Sequence, residues 1–154
     1  MKLEEKVAIV TGGGRGLGRA IALRFAHEGA AVVAAGPTPE AIDAVAKHIR
    51  DLGGRAIAAH TDVSDEPSVE QMVSATLSEL GRVDILVNNA GIIGPTAPVV
   101  RVERQGWDQT IAVNLTGAFL CAKHALPGMI ERRSGRVINI TSVAGLMGYA
   151  LRSA

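Results

Sequence analysis

Hydrophobic positions along this chain follow two alternating periods. Short runs rich in Val, Ile and Ala occur at 7–11, 31–35, 55–60, 83–88 and 136–140. Near-continuous apolarity with β-branched enrichment marks strands buried on both faces. The stretches between them carry apolar residues at helical spacing. Leu17, Ile21 and Phe25 recur every four residues. Thr38 and Pro39 open a second helix as N-cap and first helical residue, and Gly53-Gly54 stops it after Leu52. Ser64 is placed to cap a third helix, with Asp65 and Glu66 at its positive end and Gly81 closing it after Leu80. Trp107, Ile111, Leu115 and Phe119 mark one face of a longer fourth helix, predicted over 106–132 and anchored by Trp107.

Strand and helix therefore alternate, which predicts an α/β fold with a parallel sheet covered on both faces. No linker, repeat or low-complexity run divides the chain, so 1–154 reads as a single domain. Among the 154 residues, 18 are Gly and only 3% are aromatic, a composition suited to close helix-on-sheet packing. The formal charge of +1 and the scattered Lys and Arg argue against a nucleic-acid partner. Cys121 is the one cysteine, which excludes an internal disulfide and points to a reducing cytoplasm. Cys-plus-His metal spacing is absent, so no metal is expected. His27, His48, His60 and His124 read as surface or packing residues, and Arg132, Arg133 and Arg136 as a solvated turn. No stretch is long and apolar enough for a membrane span, and the charged start is no signal peptide.

The chemistry begins at Thr11-Gly12-Gly13-Gly14-Arg15-Gly16-Leu17-Gly18, between the first strand and the first helix. Glycines let a backbone approach a pyrophosphate, and the free N–H groups of a helix N-terminus face the anion. The spacing is Gly12-x-x-x-Gly16-x-Gly18. Alone, such a loop also serves as a ligand-free tight turn. Its strand–loop–helix setting favours a nucleotide.

Thr-Gly-x-x-x-Gly-x-Gly resembles the cofactor loop of the short-chain dehydrogenases/reductases. Asp62-Val63 after the third strand, Asn88-Asn89-Ala90-Gly91 at the end of the fourth, Asn114 in the long helix and Ile140-Thr141-Ser142 after the fifth match further motifs of that family in order. The resemblance covers the whole chain and leans towards the 3-oxoacyl-carrier-protein-reductase-like members. It implies a Rossmann-type doubly wound sheet, with strand order 3-2-1-4-5 here and the family's C-terminal strands absent. The implied cofactor-binding residues are Thr11, Gly12, Gly14, Arg15, Gly16, Leu17, Gly18, Asp62, Val63, Asn89, Ala90 and Gly91. Ser142 would polarise a substrate carbonyl. Asn114 would perturb its helix and help hold a relay water. The implied reaction is hydride transfer between a nicotinamide and a small carbonyl or alcohol, in a homo-oligomeric parent, dimer or tetramer. Blander roles stand beside these. Asp62 is also a turn residue, Asn88 and Asn89 suit bracing of backbone, and Asn114 suits a core amide bonded to main chain.

Two features refine the expectation. Gly36 stands where NAD-preferring members carry an acid, and Arg15 suits a 2′-phosphate, so NADP(H) is favoured over NAD(H), although Pro37 replaces the Arg common after the second strand. The family's Tyr-x-x-x-Lys does not follow Ser142 within these residues. Tyr149 comes too early, and Ser153 stands four beyond it. The chain alone is therefore expected to be inactive, and a non-catalytic nucleotide-binding fragment or regulatory module is the alternative.

Overall fold

The structure is a computed structural model that describes residues 1–153; Ala154, which closes the expected domain, lies outside the described residues. Its elements are β1 (Val7–Thr11), α1 (Gly16–His27), β2 (Ala31–Gly36), α2 (Pro39–Asp51), β3 (Ala56–His60), α3 (Glu66–Leu80), β4 (Ile85–Asn88), α4 (Arg104–Ile111), α5 (Gly117–Glu131) and β5 (Arg136–Asn139). All strand pairs are parallel, in the order β3-β2-β1-β4-β5. This is the expected doubly wound α/β arrangement, reached by helical crossovers on both sides of β1.

Alternation along the strands divides the core into two layers. Ala8, Val10, Val32 and Ala34 pack with Ala22, Ile42, Val45 and Ile49 on the side of α1 and α2. Ile9, Val33, Ala35 and Leu86 pack with Val69, Met72, Val73, Leu120 and Cys121 on the side of α3 and α5. Both faces are dry, so these strands read as continuous apolar runs rather than as alternation. Ahead of β4, Asp84 is buried and accepts the Val7 N–H at 3.0 Å, fixing the start of β1.

Three expectations about caps and the turn before β5 are corrected. Asp65, not Ser64, caps α3, its carboxylate accepting the Ser68 N–H at 3.1 Å; the Ser64 hydroxyl donates to Asp62 instead, at 2.6 Å. Thr38 sits at the N-cap of α2, but its hydroxyl makes no capping bond. Arg132 is not simply solvated, since its guanidinium donates to the Val83 carbonyl at 2.7 Å.

The largest correction concerns the long helix. A π-helical turn, Ala112–Thr116, separates α4 from α5. The extra residue rotates the face presented to the sheet. Thr110, Gly117, Leu120, Cys121, Ala125 and Met129 are buried, whereas Trp107, Leu115 and Phe119 are exposed at 40%, 64% and 61%. The small residues face inward because the helix lies close: a Cβ on Gly117 would come within 2.7 Å of Val63. Leu17 is likewise exposed, whereas Ile21 and Phe25 pack against the core.

Candidate functional site

The chain leaves β1 towards β2 and β3 on one side, then returns to β4 and β5 on the other. Such a reversal leaves a crevice at the C-terminal edge of the strands. Here it is a cleft of about 450 Å³, lined by the glycine loop, the end of β2, residues 61–63 and residues 89–92, with Gln109 and Val113. Its size is that of a small-molecule site.

The glycine loop is built without room for side chains. Gly12 has φ +62°, and a Cβ there would lie 2.9 Å from the Asn89 amide nitrogen. A Cβ on Gly14 would lie 2.9 Å from that of Ala41, and one on Gly18 would strike the Gly12 carbonyl oxygen and the Asn89 side chain. Gly16 differs. It has φ +54° and open space before it, so its glycine is required by backbone conformation. α1 starts at Gly16 with no capping side chain and no acidic residue in its first turn. Its first N–H groups therefore face the cleft without a carboxylate of the chain's own, which suits an incoming anion.

Thr11, buried beneath the loop, ties β1 to β4. Its hydroxyl donates to the Val87 carbonyl at 3.2 Å and accepts the N–H groups of Asn89 and Ala90, each at 3.0 Å. The Asn89 amide donates back to the Thr11 carbonyl at 2.8 Å. Asn88 turns the other way, donating to the Asn139 side chain at 2.9 Å and the Ala118 carbonyl at 3.3 Å. Both asparagines thus brace the edges of the cleft.

Asp62 lines the cleft and is also a turn residue, its Oδ1 accepting the N–H and the hydroxyl of Ser64. Val63 lies beside it under Gly117. Asn114 falls inside the π turn. Its amide brackets Ile92, accepting the N–H at 2.8 Å and donating to the carbonyl at 3.0 Å. Ser142 follows β5 at the same sheet edge, its hydroxyl oxygen accepting the Ala144 N–H at 3.1 Å.

Of the expected cofactor residues, Gly12, Gly14, Arg15, Leu17, Gly18, Asp62, Val63, Asn89, Ala90 and Gly91 line the cleft. Thr11 supports it from below and Gly16 opens α1 beside it. Asn114 and Ser142 stand outside the lining, Asn114 reaching it through Ile92. Sequence reasoning missed Ala41, Ile42, Thr61, Gln109 and Val113 as lining residues. Ile42 reads as a core residue of α2, and nothing in the periodicity of the long helix distinguishes Gln109.

Glu66 and Cys121 are among the electrostatically perturbed groups away from the cleft. Lys123, and after it His124, hydrogen-bond Glu66 and hold its carboxyl below the usual range. Burial pushes the Cys121 thiol up to about 12. That leaves it an inert packing group.

The comparisons agree with this architecture. The short chain dehydrogenase family matches residues 6–154, and the chain belongs to that family. It is 44% identical over 146 residues to a cis-4-hydroxycyclohexanecarboxylate dehydrogenase of Sinomonas cyclohexanicum, covering 95% of this chain and 58% of that protein. It is 45% identical over 147 residues to a 3-oxoacyl-[acyl-carrier-protein] reductase of Synechocystis, covering 95% and 59%. The solved NAD+-bound xylitol dehydrogenase superposes with a TM-score of 0.94 at 34% identity, covering 99% of this chain and 58% of that one. The chain thus spans less than two thirds of the length of these relatives. No helix among the described residues is long and apolar enough to cross a membrane.

Proposed function

We propose that this chain is the dinucleotide-binding part of an NAD(P)-dependent oxidoreductase acting on a carbonyl or alcohol. The observation that carries the reading is the glycine cradle at the β1/β4 reversal. A Cβ on Gly18 would collide with the Gly12 carbonyl and the Asn89 side chain that shape it, and an uncapped helix N-terminus faces it. Those are the properties a diphosphate requires of its site. Thr11, Gly12, Gly14, Arg15, Gly16, Leu17 and Gly18 bind or shape the diphosphate end. Asp62 and Val63 flank the base, and the backbone of Asn89, Ala90 and Gly91 meets the ribose. The hydride chemistry is that of the bound nicotinamide.

Ser142 and Asn114 serve the reacting end. The Ser142 oxygen already accepts one N–H, so its own proton is left to give to a substrate carbonyl. The Asn114 amide is held by one donated and one accepted bond to Ile92, and its part in a proton relay rests on the widened turn, where a π bulge leaves a backbone carbonyl outside the regular helical ladder.

NADP(H) is the proposed cofactor. Gly36 presents no carboxylate to a 2′-phosphate, and Arg15 lines the cleft without an ion-pair partner among the described residues. A homo-oligomeric parent is supported by Leu115, Phe119, Leu126 and Ile130, an exposed apolar stripe along α5 and the turn before it. The lone buried thiol suits the cytoplasm.

The 154-residue chain by itself binds nucleotide without turning substrate over. A phenol of pKa near about 10 needs a neighbouring cation to work at neutral pH. No Tyr-x-x-x-Lys follows Ser142 here. General acid–base catalysis is worth about 10²–10⁴ in rate. The test is NADPH oxidation, with 3-oxoacyl thioesters and ketones, by this chain joined to the C-terminal remainder of the Synechocystis reductase. Turnover by the chimera that drops about 10²-fold or more in Ser142→Ala is expected. A folded, nucleotide-binding chimera without turnover would favour the non-catalytic module instead.

A further inference from the structure

A second inference rests on the proposed nucleotide site and concerns the end of it that meets the ribose 2′ substituent. β2 and β3 stay in register to their last residues, where Gly36 has His60 as its neighbour. Alternation puts His60 on the face of β3 shared by Ala56 and Ala58, which pack towards α2 with Ile42 and Val45. Gly36 contributes no side chain to that face. The His60 imidazole spans the gap, its Nε2 lying 3.1 Å from the Pro37 carbonyl. A carbonyl only accepts, so Nε2 carries the hydrogen.

Backbone bonds hold the two ends of the turn at 36–38, where the Gly36 carbonyl accepts the Thr61 N–H at 3.0 Å and the Thr38 carbonyl accepts those of Ala41 and Ile42, and leave Pro37 between them to other restraints. Pro37 has no N–H, Gly36 has no side chain and the Thr38 hydroxyl makes no capping bond. Among the described residues, the contact from His60 is the one side-chain hydrogen bond that reaches this turn. Gly36, Pro37 and Thr38 line the cleft, whereas His60 is outside the lining and exposed to solvent.

We infer that His60 is a positioning residue for nucleotide specificity. It holds the Pro37 carbonyl, and through it the wall that meets the 2′ substituent, and so sets the preference between a 2′-phosphate and a 2′-hydroxyl. It does so without touching the nucleotide. The test is calorimetric binding of 2′,5′-ADP and 5′-AMP to the 154-residue chain and to its His60→Ala and His60→Gln variants. The two ligands differ only in the 2′-phosphate, so the ratio of their affinities reads this wall alone. Loss of one hydrogen bond is expected to change that ratio by about 3- to 10-fold in His60→Ala. His60→Gln, which keeps an N–H donor on a side chain of similar reach, is expected to hold the ratio near that of the parent chain. An unchanged ratio in His60→Ala, or the same change in both variants, overturns the assignment. A parent chain that prefers 5′-AMP contradicts the NADP(H) reading but leaves His60 to be judged by the change in ratio. If neither ligand binds the folded parent chain, both inferences fall.

Discussion

Thr11 and Asn89 hold each other in both directions: the Asn89 N–H donates to the Thr11 hydroxyl at 3.0 Å, and the Asn89 side chain donates to the Thr11 carbonyl at 2.8 Å. This pair joins the strand that launches the glycine loop to the strand on the far wall of the cleft. Thr11→Val keeps the shape but removes the hydroxyl that accepts the N–H groups of Asn89 and Ala90. It should cost about 2–4 kcal/mol in urea unfolding. Thr11→Ser should cost much less. In a double-mutant cycle with Asn89→Ala, the two losses should fail to add by about 0.5–3 kcal/mol. Simple additivity would show that the pair does not act as a unit.

The glycines should separate by mechanism. Gly18→Ala forces a Cβ into the Gly12 carbonyl and the Asn89 amide. It should destabilise the chain by about 1–3 kcal/mol and weaken nucleotide binding about tenfold or more. Gly16→Val meets open space but demands φ +54° of a β-branched residue. It should cost about 1–2 kcal/mol or shift the loop, again at the expense of binding. Ser142→Ala, outside the cleft lining, should leave nucleotide affinity unchanged. Calorimetry on the three variants checks the set.

Much of this was legible in the sequence, for particular reasons. Strands buried on both faces have no polar side to obscure them, so β1 is recognisable from Val7 to Thr11. The glycine loop carries its own punctuation. The long helix is where reading by size fails. Leu115 and Phe119 look like core residues, but the face turned to the sheet carries Gly117, Leu120, Cys121, Ala125 and Met129 instead. One residue of π-helical phase also displaces every later position, and no propensity marks such a turn. Asn114 signals it only as a polar residue inside a helix. His60 was invisible as more than an isolated imidazole, because its importance comes from Gly36 on the neighbouring strand.

Glu66 gives a pH signature. The carboxylate bonds Lys123 at 2.6 Å and His124 at 3.0 Å, linking α3 to α5, and its pKa is lowered from an ordinary value of 4.5. A depressed folded-state pKa contributes stability above the unfolded value, and that contribution disappears as pH falls through the folded one. Melting curves of the parent chain and Glu66→Gln should therefore differ at pH 7 and draw together as the pH falls below 4.5 and through the lowered folded value. A difference that does not shrink at all as the pH falls would contradict this link. The effect should be small, since the group is solvent-exposed.

Cys121 should be silent in the folded chain. Its thiol is fully buried and pushed up to about 12, so at pH 8 almost no thiolate is present. A disulfide-exchange reagent should label it only on unfolding, at a rate that follows urea concentration. Rapid labelling of the native chain would mean that the packing of α5 against the sheet is looser than described.

The most direct test of the account is a calorimetric titration of the 154-residue chain with NADPH, run beside Gly18→Ala. The cleft at the β1/β4 reversal predicts saturable one-to-one binding by the parent chain, competed by 2′,5′-ADP and weakened about tenfold or more when a Cβ at Gly18 displaces the Gly12 carbonyl. A folded parent chain that takes up no NADPH, or a Gly18→Ala variant that binds it equally well, would contradict it.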